Sequence, residues 1–128
     1  MSNSASHKTK SSLNSQLRLM LGEDIAFGPG KADLLDAICE TGSISAAGKK
    51  MGMSYRRAWM LVDTMNRCFQ QPLVDTAKGG AQGGGTTLTP FGIQILEHYR
   101  QLEGDVLVIT EKYFATFKPL MRKKSLTQ

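Results

Sequence analysis

Between Ser43 and Phe69 the chain uses one local plan twice in quick succession, and this constrains its fold more than any other feature. Ser43 supplies an N-cap for a short helix, Ile44 to Met51, and Ser54 caps a longer one marked by Ala58, Leu61, Val62, Met65 and Phe69. Ala46, Ala47 and Gly48 are small enough for another helix to approach the first closely. Gly52, free of Cβ strain, suits the tight turn between the helices, and Pro72 closes the unit. The third helix is amphipathic, with one buried stripe and one polar face.

The flanks complete the plan. Gln16 to Leu21, the turn Gly22-Glu23-Asp24 and Ile25 to Phe27 read as a small β-hairpin, followed by a breaker at Gly28-Pro29-Gly30. Lys31 to Glu40 is a first helix with Leu34, Leu35, Ile38 and Cys39 at helical spacing. After Pro72, the β-prone runs Leu73 to Thr76 and Thr86 to Leu88 are joined by a glycine-rich loop. Thr89 then caps, and Pro90 opens, a final helix running to about Phe117. Ile95, Tyr99, Leu102, Val106, Ile109 and Tyr113 form a heptad seam along it, a pattern for homodimerisation through this helix. Gly104 marks a possible bend or close approach, and Pro119 ends the helix. The expected fold is mostly α with a small β wing: a winged helix-turn-helix over residues 16–117, with an N-terminal β-hairpin and a long C-terminal dimerisation helix over 90–117. Residues 1–15 are expected to be a disordered basic tail and 118–128 a second basic tail.

Charge distribution matters more than the net +5. Lys8, Lys10 and Arg18 near one end, and Lys118, Arg122, Lys123 and Lys124 near the other, have no acidic residue among them, so the segment between is slightly acidic. Basicity as such therefore says little about the core. Lys49, Lys50, Arg56, Arg57 and Arg67 against the single Asp63 make the one basic stretch inside it. On the third helix Arg56, Met60, Asp63 and Arg67 point away from the buried stripe, and Arg57 flanks them. Recognition helices enter the DNA major groove by their first turns, so Ser54, Tyr55, Arg56, Arg57 and Met60 are the candidates for base edges, with Arg67 for phosphate and Ser43 as a further DNA-binding candidate. Trp59, at the edge of the stripe, is expected to pack against the hairpin or the first helix. Lys78, Gln82 and Thr86 in and beside the glycine-rich loop are candidate phosphate or minor-groove contacts. A nucleotide-binding P-loop does not fit, because Gly84 is followed by Gly85-Thr86 and not by Lys-Ser/Thr.

Other classes find little support. Neither Cys39 nor Cys68 has metal-ligand or CxxC spacing, so both are expected to be reduced core thiols. His7 and His98 have no nucleophile or carboxylate partner at helical or strand spacing, so no catalytic residue, metal or cofactor is expected. No run of eighteen apolar residues and no signal-peptide core occurs, which points to the cytoplasm and away from membranes. The alternative to DNA binding is a protein-interaction module that reuses the winged-helix fold, with the seam helix as contact surface.

Gly42-Ser43-Ile44-Ser45-Ala46-Ala47, Gly52-Met53-Ser54-Tyr55-Arg56-Arg57-Ala58-Trp59, Met65-Asn66, and Lys78-Gly79-Gly80 with Gly83-Gly84-Gly85 and Leu88-Thr89 together resemble the N-terminal DNA-binding domain of ModE, the molybdate-responsive regulators. More distantly, the Ser-x-Ser-Ala-Ala opening is similar to the LysR type. The resemblance covers about Gln16 to Tyr113. It implies a dimeric regulator binding double-stranded DNA, with its recognition helix at Ser54 to Phe69, its wing at Leu73 to Leu88 and a dimerising helix after Thr89. ModE proteins bind molybdate through C-terminal domains, whereas this sequence runs to a basic tail at Gln128. Molybdate binding is therefore not expected of this chain, and a molybdate-linked role would pass through a partner.

Overall fold

A computed structural model describes residues 12–76 and 85–127. In order these form β1 (Leu19–Leu21), β2 (Asp24–Phe27), α1 (Pro29–Thr41), α2 (Ile44–Lys50), α3 (Tyr55–Cys68), β3 (Val74–Thr76), β4 (Thr86–Leu88) and α4 (Pro90–Phe117), then a 3-10 turn at Lys118–Leu120. The fold is mostly helical with two small antiparallel hairpins, as expected from the sequence. β1 pairs with β2, with Leu21 opposite Asp24 and a bulge between Leu19 and Met20. β3 pairs with β4, Val74 facing Leu88 and Thr76 facing Thr86.

Residues 16–101 form one unit, built around a single apolar core. Pro29 needs no amide partner in the first turn of α1, and Gly42 (φ 71°) ends that helix by donating its N–H to the Ile38 carbonyl at 2.7 Å. The face between these stops buries Ala32, Leu34, Leu35 and Ile38, against which α2 sets Ile44 and Ala47, and α3 sets Ala58, Val62 and Met65. Phe27 from β2 is fully buried, with Tyr99 of α4 edge-on at 5.0 Å between ring centroids and Phe69 at 6.3 Å. Gly48 lies where α2 crosses α3, and a Cβ there would stand 3.0 Å from that of Ala58. The small residues of α2 thus set the spacing that the two-helix motif requires.

Residues 102–127 belong to a second unit with residues 12–15. Here the latter half of α4 leaves Leu107, Val108, Ile109, Tyr113 and Phe117 exposed, and the 3-10 turn exposes Leu120. Residues 12–15 have no regular structure, and the rest of the expected N-terminal tail lies outside the described residues.

Two side chains depart from expectation. Cys39 is exposed and Cys68 only partly buried, both as free thiols, so neither is a core residue. Cys39 follows Leu35 by one helical turn, but the cover over Leu35 does not extend to the end of α1. Partial desolvation, then the Asp36 and Glu40 carboxylates, hold the Cys39 thiol above its ordinary pKa, which keeps it protonated and a poor nucleophile. Conversely, Lys31 is buried in the first turn of α1. Desolvation lowers its pKa, with Arg57 adding to the effect and Cys68 and Asp24 opposing it. A lysine with a depressed folded-state pKa weakens the fold by its full penalty while both states are protonated, and the penalty fades as pH rises through that lowered value. Lys31→Met is therefore expected to raise the thermal midpoint at pH 7, with the gain over the parent shrinking towards pH 10.5, the ordinary lysine value.

Candidate nucleic-acid interface

Between α2 and α3 the chain turns through Met51, Gly52, Met53 and Ser54. Gly52 adopts φ 73°, a left-handed conformation that L side chains rarely take, and Met53 donates its N–H back to the Gly48 carbonyl at 2.9 Å. Ser43 Oγ accepts from the Ala46 amide at 3.0 Å, and Ser54 Oγ accepts from the Arg57 amide at 3.1 Å. Both hydroxyls are used as acceptors, which leaves each O–H available to donate. Because the cap fixes the start of α3, it also fixes where the side chains of its first turn project.

Ala58, Val62 and Met65 are buried, whereas Tyr55, Arg56, Arg57, Trp59, Met60, Asp63 and Arg67 are exposed. The predicted outward face is thus the open one. Its cations are not equivalent. Among the described residues, Arg56 and Arg57 have no carboxylate partner. Arg67 Nε instead donates to Asp63 Oδ2 at 3.0 Å, one turn back, and its pKa is raised chiefly by that bond. Lys50 is similarly engaged with Glu40 of α1, while Lys49 is not. The free positive charge therefore gathers at the N-terminal end of α3 and the end of α2.

Trp59 is 36% exposed and meets Tyr55 edge-on at 6.2 Å between centroids, so part of its ring is open on the surface of α3. Thr86 is buried at the base of the second hairpin, where its amide donates to the Gly42 carbonyl at 3.0 Å. This placement makes it an anchor between β4 and the end of α1. Lys78 and Gln82 lie outside the described residues. Of the heptad positions, Tyr99 is buried, with its hydroxyl donating to the Leu17 carbonyl at 2.7 Å, and Ile95 packs against the same core. Leu102, Ile109 and Tyr113 are exposed and Val106 is partly so.

One residue that ties the site together had no individual role in the sequence reading. Asn66, on α3, accepts from the Leu73 amide at 2.8 Å through Oδ1 and donates Nδ2 to the Val74 carbonyl at 3.4 Å. It fastens the start of the β3–β4 hairpin to the exposed helix. An amide one residue past the buried Met65 and shortly before Pro72 was the available signal, since such a group requires partners. Asn66→Ala is expected to cost about 1–3 kcal/mol in denaturant unfolding, because it leaves the Leu73 amide without its partner. Thr89 closes the other end of the hairpin, accepting from the Gly92 amide at 2.9 Å and donating to the Pro72 carbonyl at 2.7 Å.

Two helices joined through a left-handed glycine, a second hairpin fastened to the longer helix, and, among the described residues, arginines without carboxylate partners on that helix's first turns make up a winged helix-turn-helix with an open basic face. Residues 31–93 match the family described as bacterial regulatory helix-turn-helix protein, lysR family, and the chain carries a helix-turn-helix domain of that family. Its relatives include the molybdenum transport protein ModE of Azotobacter vinelandii, 44% identical over 67% of this chain and 33% of that protein. The DNA-binding transcriptional dual regulator ModE of Escherichia coli strain K12 is 37% identical over 65% of this chain and 32% of its own. The chain thus spans about a third of the length of the curated relatives it matches. A solved structure of ArgP from Mycobacterium tuberculosis aligns with TM-score 0.45 and 19% identity, over 70% of this chain and 30% of that one. No described helix is long and apolar enough to cross a membrane, and no described group of three or more His, Cys, Asp or Glu could hold a metal.

Proposed function

We propose that this chain is a ModE-like transcription regulator that binds duplex operator DNA as a homodimer, with α3 in the major groove. The observation that carries this reading is that Arg56 and Arg57, at the capped start of α3, are exposed and without carboxylate partners among the described residues. Arg56 projects from the centre of the open face, where a guanidinium can bond in two places to guanine O6 and N7. Ser43, Ser54, Arg57 and Lys49 supply phosphate contacts, and Lys78 and Gln82 of the glycine-rich segment are further candidates for phosphate or minor-groove contact. Arg67, already held by Asp63, contributes less than the two free arginines. The protein works in the cytoplasm, where its DNA lies, and needs no cofactor to bind.

Exposed apolar positions on the latter half of α4 support the homodimer. Leu102, Val106, Ile109 and Tyr113 keep the 4-3-4 spacing of a helix-to-helix seam, while Ile95 and Tyr99 serve the core of each protomer. Light scattering on the purified chain is expected to give twice the 14.0 kDa chain mass, and Ile109→Glu is expected to shift it to the monomer. A monomeric parent at tens of micromolar would refute the assembly.

The experiment that tests the function is binding to a duplex selected by the protein itself from a randomised library. Arg56→Ala is expected to weaken binding to that duplex by about 1–3 kcal/mol and relax the preference at one position. Lys78→Ala is expected to weaken all duplexes similarly and to reduce the salt slope by about one. Parent-like behaviour of both variants would show that this face does not meet DNA.

A further inference from the structure

The open face of α3 is not only cationic. Tyr55 and Met60 are each 57% exposed, and Trp59 stands beside Tyr55 in edge-on contact. By contrast, the aromatic pairs among Phe27, Phe69, Phe91 and Tyr99 lie in or against the core. Tyr55, Trp59 and Asn66 are spaced by four and seven residues, which puts them along one flank of the helix. Asn66 holds Leu73 and Val74, so the C-terminal end of this flank is fastened to the start of the β3–β4 hairpin. Arg56, one residue on from Tyr55 and nearer the centre of the open face, has no carboxylate partner among the described residues.

An exposed indole and phenol on the same open face as the Arg56 guanidinium suit a partner that is apolar at one point and anionic around it. The major groove of duplex DNA has that character, since the thymine C5-methyl group is its apolar mark between two rows of phosphates. Resting on the DNA-binding reading above, we propose that Trp59 reads a thymine. Its ring packs on the C5-methyl group on the hairpin side of the base pair met by Arg56, and Tyr55 braces the indole in place. The bracing limits the side-chain freedom lost on binding. Trp59 is thereby a specificity-determining residue and not a core aromatic.

The test uses the full chain and a duplex it has enriched from a randomised library. Each thymine of that duplex is replaced in turn by deoxyuridine, which removes the methyl group and nothing else, and affinity is read by anisotropy of the labelled DNA. At one thymine per half-site, the replacement is expected to weaken the parent about fourfold, the worth of one methyl group taken out of water. In Trp59→Ala the same replacement is expected to cost nothing further, and Trp59→Phe, which keeps a ring at that position, is expected to retain part of the effect. Trp59 is the only tryptophan, so its emission in the parent is expected to change on binding. Deoxyuridine effects that are absent, or the same size in parent and Trp59→Ala, would overturn the assignment while leaving DNA binding intact. Failure to enrich any duplex would instead contradict the DNA-binding reading, and this assignment with it.

Discussion

Phe27→Ala is expected to destabilise the domain by about 3–5 kcal/mol, the usual cost of removing a buried aromatic ring. Phe27 is fully buried in β2 and meets Tyr99 and Phe69 edge-on, so its loss opens a cavity between the first hairpin, α3 and α4. The effect reaches function because Phe69 directly follows α3 and helps to seat it. The urea midpoint is expected to fall with little change in slope, and binding to the selected duplex is expected to survive at low temperature, where the fold persists. A midpoint within experimental error of the parent would mean that these rings do not form the core described.

Gly92→Ala is expected to cost about 3 kcal/mol for a different reason. Near the start of α4, the backbone at Gly92 passes so close to β3 that a Cβ would stand 2.1 Å from the Leu73 carbonyl oxygen. That atom is backbone and already accepts from the Thr89 amide at 2.9 Å, so α4 and the hairpin must move apart to make room. In an exposed helix interior the same substitution would stabilise slightly, because alanine is the better helix former. Gly104 provides that control, as nothing lies within 4 Å of where its Cβ would stand. Opposite signs in thermal unfolding, a lower midpoint for Gly92→Ala and a higher one for Gly104→Ala, are the expected result.

This contrast also marks where the sequence stopped being informative. Element order was legible because its signals are local. Ser43, Ser54 and Thr89 announce their helices, Gly42 and Gly52 end theirs with left-handed backbones, and the stripe from Ala58 to Met65 requires a covered face. What the sequence could not reveal was which exposed or apolar positions a neighbour would cover. Tyr99 belongs to a heptad by spacing, yet Phe27 and the Leu17 carbonyl lie more than 70 residues away in the chain, and only the folded core brings them to it. Trp59 likewise stands at the margin of the stripe, where a small rotation of α3 decides between core and surface. Thr86 looked like a loop-end contact until the Gly42 carbonyl claimed its amide. Within the basic face, spacing alone could not separate the free Arg56 from Arg67, although an aspartate four residues before an arginine is itself a pairing signal.

The central claim is that the first turns of α3 enter the major groove with Arg56 on a base edge, and guanine N7 methylation protection tests it most directly. On the duplex selected by the protein, the parent is predicted to shield at least one guanine N7 in each half-site, and Arg56→Ala is predicted to expose that guanine while flanking backbone contacts persist. An identical protection pattern in parent and variant, or no protected guanine at all, would contradict the account.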